Sequence, residues 1–378
     1  MFSPVVELER YQPMTANSAC GLEIDRSDLR HTRVVQIPEQ TIESGQVLLS
    51  LEKFSFTANN VSYGLFGDAL KYWKFFPATS QGWANLPVWG FATVEESLHN
   101  DIEPGERFYG YFPMATSVVL TPGETDDYGF YESAPAREHL PSFYNRYIRV
   151  SSDPSYRADY ENQQLLFRPL FLTAFVLDQH LKQMSFYGVD QIVISSASSK
   201  TAMALAWLLR KNDMQVVGLT SKTGRAFAKN SQNYDDVLLY DEIADKLPYK
   251  SSIFLDFTGS PERMMSVHTA LRDALKVTYR VGTTHWQDAS PYPEFADLPG
   301  PKPKFFAATA EGDKLTEEWG LQELQERVWE KLLEFYGPAS QWIKTARGIG
   351  TDAILECYDR VLQGKVLPSE GFVLSFDV

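Results

Sequence analysis

The sequence predicts an α/β protein in which a β-rich domain is split around a doubly wound parallel-sheet domain. Three observations carry this. Residues from about 20 to 150 hold short alternating apolar runs broken by Gly and Pro, the texture of a partly open, barrel-like β domain. After about 160, strand-like runs alternate with helical ones, which implies a parallel sheet with helices on both faces. The end changes again, to helices and a closing strand that return to the first domain. The boundaries expected are 1–160, 161–310 and 311–378.

The elements run in this order. Strand-like runs are "QVLLSLEKFSFTA" (46–58), "WGFATVEES" (89–97) and "RFYGYFPMATSVVLT" (107–121), with helical "DALKYWKFF" (68–76) between the first two. "LLFRPLFLTAFVLDQHLKQM" (165–184) reads as a helix. Then come strand "DQIVISS" (190–196), helix "KTAMALAWLLRK" (200–211), strand "MQVVGLT" (214–220), helix "KTGRAFAKN" (222–230) and strand "DVLLYD" (236–241). Strand "SSIFLDFTG" (251–259) leads into helix 260–275, with Ser260 as N-cap and Pro261 in first position. "KVTYRVGTT" (276–284) and "KFFAAT" (304–309) read as strands. An amphipathic helix over 319–337 should stop at Gly337-Pro338, followed by helix 352–365 and strand 371–376.

Composition narrows the function. The 378 residues are 44% hydrophobic, enough for a large core, and carry a net charge of −14. Such acidity argues against nucleic acid, whose phosphates need clustered Lys and Arg. The two cysteines, Cys20 and Cys357, belong to no CxxC pair or Cys/His cluster, so neither a disulfide framework nor structural zinc is expected. The start lacks the basic and apolar regions of a signal peptide, and the apolar run Ala202–Leu209 is far too short to span a bilayer. The expectation is a cytoplasmic protein with a small-molecule substrate and no membrane partner.

The chemistry centres on "ISSASSKTAMALAWLL" (194–209), a strand, a tight loop and a buried helix. That is the layout of a dinucleotide-binding turn, without the glycines of its fingerprint. Small residues can replace glycine in two of its jobs, close approach of backbone to the diphosphate and close helix packing. Ser196, Ala197, Ser198 and Ser199 are all small, and hydroxyls and helix-start N–H groups donate to phosphate. Lys200 adds a charge and Thr201 a further hydroxyl. A buried strand followed by a Ser-capped helix would read the same way. The next strand ends in "GLTSKTGR" (218–225), with Thr220, Ser221, Lys222 and Arg225 and no acid. Hydroxyls and cations there suit a 2′-phosphate, hence NADP(H), whereas an acid would select NAD. Tyr240 at the third strand end, and Phe257, Thr258 and Gly259 after the fourth, complete the cofactor candidates.

Five further pieces carry a resemblance: "VLLSLEKFSFTANNVSYGLFGD" (47–68), "LPVWGFATVEES" (86–97), "GERFYGYFP" (105–113), "LTAFVLDQHL" (172–181) and "CYDRVLQGKVLPSEGFVLSF" (357–376). In this order they resemble the medium-chain dehydrogenase/reductase superfamily. The resemblance implies a GroES-like catalytic domain split around a Rossmann domain, and a possible homodimer. The superfamily's zinc branch needs a cysteine where "TANNVSY" (57–63) stands and a downstream G-H-E; neither is present, so no catalytic metal is expected. "ISSASSKTA" is similar to the loop of the quinone oxidoreductase and enoyl reductase branch. With "VGTTHW" (281–286) it resembles a bacterial branch of unknown function. The resemblance implies an NADPH-dependent, zinc-independent reductase of an activated C=C or quinone. The alternative is a non-catalytic nucleotide-binding protein that keeps the fold. Catalytic candidates are Asn60 to hold a carbonyl, Tyr63 or Tyr72 to donate a proton, and His285, with Asn59 and Trp73 beside them.

Overall fold

The computed structural model describes residues 19–212, 214–282 and 298–376. Its architecture is the α/β class expected. A nine-stranded, mostly antiparallel sheet runs in the order Lys344–Ile349, Glu370–Ser375, Val47–Phe56, Pro87–Ser97, Arg107–Pro113, Arg146–Arg149, Gly129–Glu132 and Pro122–Asp126, with Ser117–Leu120 paired to Val47–Phe56 off this path. Thr32–Gln36, Cys20–Asp25 and Trp83–Asn85 form a three-stranded sheet. The third sheet is parallel, in the order Asp236–Leu239, Gln215–Thr220, Gln191–Ile194, Ser252–Asp256, Leu275–Arg280 and Lys304–Phe305. Numbered by sequence within this sheet, that is 3-2-1-4-5-6, the order of dinucleotide-binding sheets. Its strands are nearly continuous buried apolar runs, as a sheet covered on both faces requires.

One helix, Glu161–Gln183, joins the two large sheets. Its start is bound to the antiparallel sheet through Glu161, which pairs with Lys53 and with Arg107 Nη1 (2.5 Å for the second). Arg107 also grips Glu52 (2.6 Å). Ser55 Oγ donates to the carbonyl of Leu165 at 2.8 Å. Leu165 belongs to the antiparallel-sheet core, whereas Leu166, Phe171 and Leu181 belong to the parallel-sheet core. Helices Ala308–Trp319 and Leu321–Trp342 pack into that second core, and the chain rejoins the antiparallel sheet at Lys344–Ile349.

Two local readings need correction. The last long helix does not stop at Gly337-Pro338; it continues to Trp342 with Pro338 inside. Proline removes one backbone donor. Burial of Phe335, Tyr336 and Ala339 on the core face outweighs it, and Ser340 Oγ bonds the carbonyl of Gly337 at 2.7 Å. Residues 68–76 hold only one 3-10 turn, Tyr72–Lys74. Lys71 before it is left-handed (φ 62°), which ends any continuous helix.

The tail strand is seated by a close approach. A Cβ on Gly371 would overlap Leu166 Cδ1 and come within 2.8 Å of Ile343 Cγ2. Gly371→Ala should therefore destabilise the protein by about 1–3 kcal/mol through overpacking, read as a lowered midpoint of denaturant unfolding. An unchanged midpoint would mean that the tail strand does not press on this helix.

Candidate cofactor and catalytic site

The carboxyl edge of the first and fourth parallel strands is built around Asp256, fully buried at the end of Ser252–Asp256. Its Oδ1 accepts from Ser195 Oγ (2.7 Å), Thr258 N–H (3.0 Å) and Thr258 Oγ1 (2.7 Å), and its Oδ2 from Gly259 N–H (3.1 Å). Ser195 in turn accepts from Phe257 N–H at 2.8 Å. One carboxylate thus locks the serine loop to the Phe257–Gly259 loop. The sequence reading missed Asp256. Its signal was the Asp-x-Thr-Gly-Ser spacing, in which an Asp side chain bonds backbone two residues on.

The serine loop makes the tight turn without glycine. Ser196 adopts φ 52°, left-handed and costly for a side chain by roughly 1–2 kcal/mol. The glycines lie opposite the loop instead. A Cβ on Gly218, in the neighbouring strand, would sit 2.8 Å from Ala197 Cβ and 2.9 Å from Tyr234 Cδ1. A Cβ on Gly224, in helix Lys222–Asn230, would overlap Ser198 Oγ and Thr220 Oγ1. Ser198 Oγ and Thr220 Oγ1 are 3.2 Å apart, and Ser199 caps helix Lys200–Leu209, accepting from Ala202 N–H at 3.4 Å. Thr201 is half-buried in the first turn.

The cations separate. Lys200 turns away from the loop: its ammonium donates to the carbonyl of Glu370 in the tail strand at 2.8 Å, and burial pulls its pKa down to about 8. Arg225 pairs with Glu242 at 3.0 Å. Lys222 is exposed, one residue beyond Ser221, and no ion pair holds it among the described residues. Tyr240 reaches back over the second strand, its hydroxyl accepting from Ser196 N–H at 2.9 Å. The guanidinium of Arg263 lies 4.1 Å from the Tyr240 ring centre. Phe257 and Thr258 are buried.

In the antiparallel half, Thr57 caps helix Ala58–Leu65 in a reciprocal box with Asn60. Asn60 Oδ1 accepts from Thr57 N–H (2.9 Å), and its Nδ2 donates to the carbonyl of Pro87 (3.0 Å), so both ends of this amide are engaged within the fold. Asn59 is the amide that meets Tyr63: Nδ2 donates to the Tyr63 hydroxyl at 2.8 Å, and Trp89 Nε1 donates to the same oxygen at 3.3 Å. Tyr72 and Tyr144 share a hydroxyl contact of 3.0 Å, and the Tyr63 and Tyr72 rings lie 4.7 Å apart. Trp73 is buried against Gly67. Burial raises the pKa of Tyr63 and of Tyr72, so both stay protonated at neutral pH. Trp89, Tyr111 and Tyr144 complete this nest and were not foreseen; they come from two strands and a short helix far apart in sequence. His285 lies outside the described residues. Among the described residues no cluster of three His, Cys, Asp or Glu could hold a metal, and no helix is long and apolar enough to cross a membrane. Cys20 and Cys357 are both buried.

Residues 54–367 match the model of a family described as "Protein of unknown function (DUF2855)". The chain belongs to that family. No curated protein matches it by sequence. Among solved structures, it is similar to CurA of Vibrio vulnificus in complex with NADPH, at TM-score 0.59 and 12% identity, covering 95% of this chain and 100% of that one. A mutant form of enoyl thioester reductase from Candida tropicalis gives 0.57 at 12% identity, covering 95% and 100%. TarJ of S. aureus in complex with NADPH gives 0.55 at 11%, covering 94% and 98%. This DUF2855 chain shares their fold.

Two outcomes test the loop. Gly218→Ala should cost about 1–3 kcal/mol, and adding Ala197→Gly should return much of it; independent, additive losses in unfolding would contradict the facing-glycine account. Lys200 has a folded pKa below its ordinary 10.5, so the unfolded chain binds the extra proton between about 8 and 10.5. Stability contributed by this group therefore rises with pH in that window, by up to about 1.4 kcal/mol per unit. Comparing wild type with Lys200→Met in melts from pH 7.5 to 10 should show the slope reduced in the variant; identical slopes would refute the buried ammonium.

Proposed function

We propose that this chain is an NADPH-dependent reductase of an activated C=C or quinone. The observation that carries the reading is the Tyr63 hydroxyl, whose oxygen receives N–H groups from Asn59 and Trp89. The Tyr144 hydroxyl also hydrogen-bonds Tyr63, so three groups hold this phenol, and its O–H is the proton it can give. NADPH fits the residues at the carboxyl edge of the parallel sheet. The left-handed Ser196, the facing Gly218 and Gly224, and the start of helix Lys200–Leu209 make a close-approach turn at the edge where such sheets bind ligands. Lys222 and Ser221 offer a cation and a hydroxyl to a 2′-phosphate, and residues 218–225 hold no acid of the kind that favours NADH. The fold shared with NADPH complexes of CurA and TarJ, and with an enoyl thioester reductase, supports the same assignment.

In this mechanism NADPH supplies a hydride, and the protein supplies the rest. Asn59 and Trp89 fix the Tyr63 hydroxyl and stabilise the oxygen as its proton leaves. Tyr72, on the half-buried rim of the nest, joins the Tyr144 hydroxyl and offers a second donor. The aromatic rings around Tyr63 keep water from the reacting atoms. The serine loop would hold the diphosphate, and the loop Phe257–Gly259, fixed by Asp256, would line the nicotinamide ribose.

The test is NADPH oxidation with a panel of quinones, enones and enoyl thioesters. Tyr63→Phe should lower turnover by about 10²–10⁴-fold with NADPH affinity unchanged. Full activity in that variant would remove Tyr63 from the mechanism. Binding of NADPH by the wild type without turnover of any substrate would favour a nucleotide-binding protein instead.

A further inference from the structure

Arg263 is a cation in an electrostatically unfavourable place. It is the third residue of helix Pro261–Leu271, where the helix dipole already presents positive charge. No carboxylate pairs with it among the described residues. Its guanidinium instead lies over the Tyr240 ring, 4.1 Å from the centre, and its Nη1 is buried without a hydrogen-bond partner among the described residues. Leaving a charged donor buried and unpaired is costly. Tyr240, in turn, accepts the Ser196 N–H of the serine loop. Arg263 therefore stands one ring away from the turn that would hold a diphosphate. Meanwhile two cations nearer in sequence, Lys200 and Arg225, are committed to Glu370 and Glu242.

We propose that Arg263 is a phosphate-binding residue of the dinucleotide site, held over Tyr240 so that its guanidinium donates to a phosphate of the bound nucleotide. This rests on the NADPH reading of the site. Arginine suits the role because its planar fork can stack on an aromatic ring and donate to phosphate at once. An anion would also offset the helix-start field that disfavours the cation.

The test is fluorescence titration of NADPH and NADH into wild type, Arg263→Met, Arg263→Lys and Lys222→Ala, with thermal melts as a check on folding. Arg263→Met keeps the stem and should weaken NADPH at least about tenfold, the loss of one charge-assisted bond. Arg263→Lys should recover part of it, and keeps a charge if the Met variant melts early. If the phosphate is the 2′ group, NADH affinity stays constant, as it should in Lys222→Ala. If it is the diphosphate, both nucleotides weaken by the same factor. Wild-type affinity for both nucleotides in Arg263→Met and Arg263→Lys would overturn the proposal while leaving the NADPH reading standing. A wild type that binds neither nucleotide would overturn both.

Discussion

The Asp256 carboxylate holds the candidate site together. A buried charge is tolerable only when donors surround it, and here four donors converge, from Ser195, Thr258 and Gly259. Ser195 both donates to Asp256 and accepts from Phe257 N–H, so neither loop can shift without breaking a bond to the other. Both loops lie at the carboxyl edge of the parallel sheet, where open α/β sheets bind ligands. Their relative position is set before any ligand arrives, the preorganisation that binding requires.

That anchor fixes the rest of the turn. Ser196 takes the left-handed conformation, and the hydrogen bond from its N–H to Tyr240 helps hold it there. Room for side chains in the loop comes from Gly218 and Gly224 across the gap. The small side chains of the loop thus sit in space that side chains at 218 and 224 would otherwise fill. The Lys200 contact with Glu370 then ties this helix start to the tail strand of the antiparallel sheet.

Much of this was legible in the sequence. The alternation of buried strands and helices after residue 160 set out the parallel sheet, and with it the positions of the serine loop, "GLTSKTGR" and "LDFTGS" at strand ends. Side-chain direction was not legible. Nothing in the spacing says that Lys200 turns to the tail, that Arg225 meets Glu242 seventeen residues on, or that Asn60 is consumed in a cap while Asn59 meets Tyr63. The aromatic nest was hidden for another reason. Tyr63, Trp89, Tyr111 and Tyr144 come from four separate elements, and pairing of Pro87–Ser97 with Arg107–Pro113 is what places two of them side by side. Periodicity reports burial of each residue, not which buried residues meet.

The proposed dinucleotide cradle is the glycine-free turn after the first parallel strand. A crystal structure of the protein grown with NADPH tests that role most directly. The account predicts the diphosphate against the backbone of residues 196–201, with the 2′-phosphate beside Ser221 and Lys222. A crystal saturated with NADPH that shows the nucleotide elsewhere, or none at this sheet edge, would contradict it.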